Sequence, residues 1–184
     1  PADAQGSGLP GVAEGLRAQA QARRRLAASA ASGASAVADT SGRDELRELV
    51  QSDIRARLGT AASTQRPFAE RLAMFWANHF TVTTLKGNTR GLVGAFEREA
   101  IRPRIAGRFV DLLRASTTHA AMLRYLDNQN SAGPRSVIVQ RIARRREATD
   151  PLAPRLSGLN ENLARELLEL HTLGAAHAGG RYGP

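Results

Sequence analysis

Pro67-Phe68-Ala69-Glu70-Arg71-Leu72-Ala73-Met74-Phe75-Trp76-Ala77-Asn78-His79-Phe80 is the stretch on which the fold of this chain turns. Phe68, Leu72, Phe75 and His79 recur at i, i+4, i+7 and i+11, which puts them on one stripe of an α-helix. Pro67 suits the first turn, where its missing N–H would have had no partner anyway. A second stretch, Asn160-Glu161-Asn162-Leu163-Ala164-Arg165-Glu166-Leu167-Leu168-Glu169-Leu170-His171-Thr172-Leu173-Gly174, repeats the pattern, with Ala164, Leu167 and His171 on one face. Asn160 there reads as the N-cap and Gly174 as the residue just past the helix. Each stripe carries one histidine on the face expected to be buried. A buried imidazole needs a partner for each ring nitrogen, because an unpaired buried polar group costs ~1–3 kcal/mol. The core, a ligand, a metal or a substrate can supply those partners, so His79 and His171 are the leading candidate site residues.

The rest of the chain fits helices better than sheets. Of its 184 residues 42% are hydrophobic but only 4% aromatic, so the core rests on Leu and Ala, and pleated faces would lack the bulky residues that fill them. That length suits a single main core. No heptad is sustained, so the expectation is an all-α, irregular multi-helix bundle rather than a coiled coil. No apolar run approaches the ~20 residues of a membrane span. The absence of cysteine excludes disulfides and thiolate metal sites.

Residues 1–42 read as an Ala/Arg/Gly-rich segment, with a weak helix from about Gly11 to Ser32 and a linker from Gly33 to Ser41. Residues 43–184 read as a helical domain with an exposed basic insert at 135–157. Within that domain Leu46, Leu49, Ile54 and Leu58 predict a helix ended by Gly59. Leu92, Phe96 and Ala100 predict another that stops near Ile101, before Pro103. Further helices are expected around Phe109 to Leu113 and from His119 to Leu126, followed by a polar turn from Asp127 to Pro134. Pro1 and the loop-like Gly179 to Pro184 give both ends a cut look, as expected of a fragment of a longer helical protein.

The net charge of +9 invites a polyanion partner. Lys86 is the only lysine, however, and arginine amid abundant Ala and Gly also fits GC-rich codon usage. Aromatic residues for base stacking are few. Nucleic-acid binding through Arg141 to Arg146 is therefore the distant reading, and no Gly-rich phosphate loop, nucleophile elbow or dinucleotide fingerprint occurs.

Several words, in order, resemble the bacterial domain-of-unknown-function family 1800. They are Pro67 to Leu72, Phe75 to Phe80, Phe96-Glu97-Arg98-Glu99-Ala100-Ile101-Arg102-Pro103, Met122-Leu123-Arg124-Tyr125-Leu126-Asp127-Asn128, and Gly158 to Gly174. The resemblance covers about residues 66–174. It implies an α-helical fold, a bacterial source often with an export signal, and a neighbouring gene for a sulfatase-like protein; it implies no established reaction. Where the family's first motif usually has a second His, this chain has Ala77.

Candidate catalytic groups are His79, His171, Glu166 and Asp127, the histidines as acid/base groups or ligands near neutral pH. Glu166 lies at the edge of its helix's apolar stripe, one turn after Asn162. Candidate substrate-binding groups are Asn78, Glu99, Arg102, Asn128 and Asn162. Arg102 can bind a carboxylate, sulfate or phosphate, or pair with Glu99. Inward-facing Glu and His from separate helices are what a helical-bundle metal site uses, so a divalent metal is a possible cofactor, although no Glu-x-x-His or His-Glu-x-x-His spacing occurs. His119 is expected to cap a helix or face solvent, and His177 lies in a Gly/Ala loop. The leading expectation is a hydrolytic or metal-assisted enzyme with a polar pocket acting on an envelope or extracellular substrate. The alternative is a non-catalytic helical scaffold that docks a partner, for example the sulfatase-like neighbour.

Overall fold

A computed structural model of the chain describes residues 8–31, 41–133, 135–137, 139–141 and 159–174. Most of the expected linker and most of the basic insert lie outside the described residues. The fold is all-α and irregular, as expected, with no strand among the described residues. None of the described helices is long and apolar enough to cross a membrane. The chain forms two compact units, residues 1–125 and 126–184.

The first unit holds α1 (Val12–Ala31), α2 (Ser41–Ser63), α3 (Pro67–His79), α4 (Val93–Phe96), α5 (Phe109–Thr118) and α6 (Ala120–Tyr125). The core gathers on the stretch from Leu92 to Ile101, where Leu92, Ala95, Phe96, Ala100 and Ile101 are all buried. This stretch begins as α4, widens into a π-helical turn over Glu97–Ile101 and tightens into a 3-10 turn over Arg102–Arg104. Helices α1, α2 and α6 pack against α4, while α3 and α5 pack against the π turn. Helical structure thus runs on past the expected stop at Ile101, because Pro103 falls in the first turn of the 3-10 segment, where no N–H is needed. Gly59 likewise does not end α2, which continues to Ser63.

Helix α1 matches its expected span and is fastened by a polar group. Gln19 is buried and donates through Nε2 to the carbonyls of Asn88 (3.1 Å) and Arg90 (2.6 Å). Its Oε1 accepts from Arg124 of α6. Asn88 and Lys86 in turn donate to the α6 carbonyls of Arg124 (2.9 Å) and Tyr125 (2.7 Å). One glutamine in an alanine-rich helix therefore ties α1, the 86–90 loop and α6 together. Between α2 and α4 the contact is close: a Cβ at Gly94 would fall on the Asp53 carboxylate, which would have to move aside.

Helix α3 reverses the expected arrangement. Its buried residues are Glu70, at 3% exposure, and Ala73, whereas Phe68 and Phe75 are 79% and 58% exposed. The periodicity placed Phe68, Leu72, Phe75 and His79 on one stripe, but Phe68 and Phe75 of that stripe face outward while Leu72 and His79 are half-buried. Small alanines and a paired glutamate form the inward side, which lets α3 approach the π turn closely.

The second unit holds α7 (Asn162–Glu169) and a 3-10 turn at Asn128–Asn130. The N-cap of α7 is Glu161, one residue after the expected Asn160. Asn160 stands just before it, its Oδ1 accepting the Asn162 N–H at 2.9 Å and its Nδ2 donating to the Leu126 carbonyl at 3.1 Å. The helix stops at Glu169 with Leu170 as its C-cap, short of the expected end beside Gly174, so His171 lies past the helix rather than on its face; Gly174 itself has φ +82°.

Candidate functional site

The densest chemistry lies at the π turn. Arg102 is 9% exposed, and four of its five guanidinium N–H groups are used. Nη1 and Nη2 clasp the two oxygens of Glu70, each at 2.6 Å, while Nε and Nη2 meet Glu97 Oε1 at 2.9 and 2.7 Å. Arg57 adds an ion pair, its Nε lying 3.2 Å from the second oxygen of Glu97. Arg98 donates to Asp53 at 2.6 Å and to the Pro10 carbonyl at 2.7 Å. The bonds from Glu70, joined by the charge of Glu97, raise the Arg102 pKa above its ordinary value against the opposing effect of burial. Such a network fixes helices α2, α3 and α4 against one another.

Arg102 therefore pairs with Glu70 and Glu97 rather than with Glu99. The reason is helical geometry. In an α-helix residues five apart lie about 140° around the axis, so Glu97 would point away from Arg102. The wider π turn, in which the Arg102 N–H reaches the Glu97 carbonyl, brings the two side chains to one side. An α-helical reading sees Glu99 at i−3 and misses Glu97. Glu70 was legible only as part of a small-residue stripe with Ala73 and Ala77.

Glu99 has other partners. Its Oε1 accepts the Val12 N–H at 2.8 Å, at the start of α1, and its Oε2 lies 3.3 Å from His119 Nε2. His119 Nδ1 accepts the Ala121 N–H at 3.2 Å, which caps α6 and fixes the tautomer with the proton on Nε2. Its side chain is largely buried rather than facing solvent, and burial lowers its pKa against the pull of Glu99. Both ring nitrogens are thus engaged, so this neutral imidazole has no lone pair for a substrate proton. His119 was expected only to cap or to face solvent; its link to Glu99, twenty residues away, had no local signal.

His79 lies elsewhere, at the C-terminus of α3. It is half-buried among Phe75, Trp76, Phe80 and Phe109, with ring centroids 4.7 Å (Phe80) to 6.5 Å away. Neighbouring Asn78 is exposed, and its carbonyl accepts from Thr81 Oγ1. Within the first unit, then, His79 and Glu99 belong to separate environments.

In the second unit Asp127 adopts φ 57° and accepts the Asn130 N–H at 3.0 Å, and Asn128 accepts the Ser131 N–H at 3.0 Å, each through its carbonyl. Asn162 is exposed at the first turn of α7. The Glu166 side chain is half-buried; its carbonyl accepts the N–H groups of Leu170 (3.1 Å) and His171 (2.9 Å). His171 is 5% exposed. Among the described residues no group of three or more His, Asp or Glu is placed to hold a metal ion.

These features define an all-α protein whose main charged cluster is spent on its own packing and whose third helix turns an aromatic stripe outward. The chain belongs to the family described as protein of unknown function (DUF1800), whose model matches residues 3–183. No curated protein and no solved structure matches it.

Proposed function

We propose that this protein is a non-catalytic helical scaffold that docks a partner protein on the outward face of α3. The observation that carries the reading is the exposure of Phe68 and Phe75, which with Pro67, Arg71 and Leu72 line a surface groove of about 610 Å³. Phe109 and Val110 of α5 are exposed as well. Contiguous exposed aromatic and aliphatic side chains mark interaction surfaces more often than isolated ones do. Arg71 is an exposed cation in the groove, so the fitting partner presents apolar side chains beside an acidic one. The enzyme reading draws less support, since two of its substrate-binding candidates, Arg102 and Glu99, are engaged by groups of the protein itself.

The sulfatase-like neighbour implied by the family resemblance is the first partner to test. Calorimetric titration of that protein into this one should show binding that falls at least tenfold in Phe68→Asp/Phe75→Asp and survives in His119→Asn. Absence of binding, or binding indifferent to the two phenylalanines, would overturn the reading.

A further inference from the structure

A second groove, of about 590 Å³, lies in the first unit between the first turns of α2 and the 84–90 loop. Its walls carry three guanidiniums, Arg43, Arg47 and Arg90, with one carboxylate, Asp44. Leu46, Val50 and Leu85 provide an apolar side, and Leu85 is 86% exposed. Arg43 and Arg47 stand four residues apart on one face of α2, and neither has a carboxylate or carbonyl partner among the described residues. Among the described residues Arg90 uses only Nε, on the Thr84 carbonyl at 3.4 Å. This differs from the arginines of the π turn, where Arg57, Arg98 and Arg102 each hold an acid.

From this contrast we infer that the groove is a binding site for an organic anion with an apolar body, such as an alkyl phosphate. The guanidinium forks match phosphate geometry and are not consumed internally. Three cations against one carboxylate leave an excess of two positive charges, and the leucines and Val50 offer a dry wall for a hydrocarbon chain. This groove shares no residue with the α3 face.

The test uses dodecyl phosphate below its micellar concentration, titrated calorimetrically into the full chain. Saturable binding at one site is expected, about tenfold or more weaker in Arg43→Gln/Arg47→Gln and in Arg90→Gln, and tighter in Asp44→Asn. Arg108→Gln, outside the groove, should change nothing, and unchanged thermal melts would show that the variants remain folded. Equal binding of dodecanol would overturn the anionic part, and equal binding of inorganic phosphate the apolar part. Affinity indifferent to all three arginines would overturn the site itself. Vesicles of phosphatidylglycerol in phosphatidylcholine distinguish a lipid headgroup from a free ligand: co-sedimentation lost in the same variants assigns the membrane source, and its absence beside dodecyl phosphate binding assigns a soluble one.

Discussion

The two faces of α3 invert the ordinary rule of polarity. Inward, Glu70 is buried against Arg102, with Ala73 beside it; outward, Phe68 and Phe75 stand in solvent. An ion pair is a costly way to bury a surface, because the desolvation of both charges offsets much of their attraction. It is, however, directional. The clasp of Glu70 and Glu97 on Arg102 fixes the rotation of α3, and that rotation keeps the aromatic stripe outside. The apolar face is thus available for a partner because a polar one holds the helix in place.

Breaking the clasp should have the largest effect. Arg102→Ala leaves Glu70 and Glu97 buried without their main cation, so a loss of about 3–5 kcal/mol in urea unfolding is expected. Arg102→Lys should recover little of it, since a single ammonium cannot make the bidentate contact. Next comes Gly94→Ala, which forces a methyl group onto the Asp53 carboxylate and should cost about 1–3 kcal/mol; a neutral outcome would mean that α2 and α4 separate easily.

A smaller effect concerns pH. Burial lowers the His119 pKa, so the unfolded chain binds a proton at a higher pH than the folded one does. Stability should therefore be complete above the ordinary histidine pKa of about 6.5 and decline as the pH falls below it. His119→Asn keeps an acceptor for the Ala121 N–H and should flatten that decline; an unchanged slope between pH 7 and 5 would assign the effect elsewhere. The smallest change is expected for Arg108→Ala. Arg108 and Asp111 pair on the surface, where the bonds from Arg108 lower the Asp111 pKa, and thermal melts of the variant should match the parent.

Much of the fold was legible from the sequence. The 3.6-residue period gave most helices and Pro67 the start of α3, because periodicity and a first-turn proline are local signals; Asn160 and Gly174 each missed the ends of α7, which runs from Asn162 to Glu169. The polarity of α3 was not legible, since a period identifies a stripe but not the side on which the core lies. The π turn hid the Glu97–Arg102 pair, and the Glu70–Arg102, Glu99–His119 and Gln19–Arg124 contacts join residues 20 to 105 positions apart. Of the candidate residues, Glu99 and Arg102 were marked as substrate-binding groups that could pair with each other; in the structure Arg102 pairs with Glu70 and Glu97, and Glu99 with the Val12 N–H and His119. His79, marked as a candidate catalytic group, is half-buried with aromatic rings around it.

Helix α3 is held by its polar face while its aromatic face is left free. Urea unfolding of Phe68→Ser/Phe75→Ser tests it most directly. If the claim holds, stability changes by no more than about 1 kcal/mol, as for exposed side chains. A loss of several kcal/mol, the cost of deleting buried aromatic rings, would contradict it and place that face in the core.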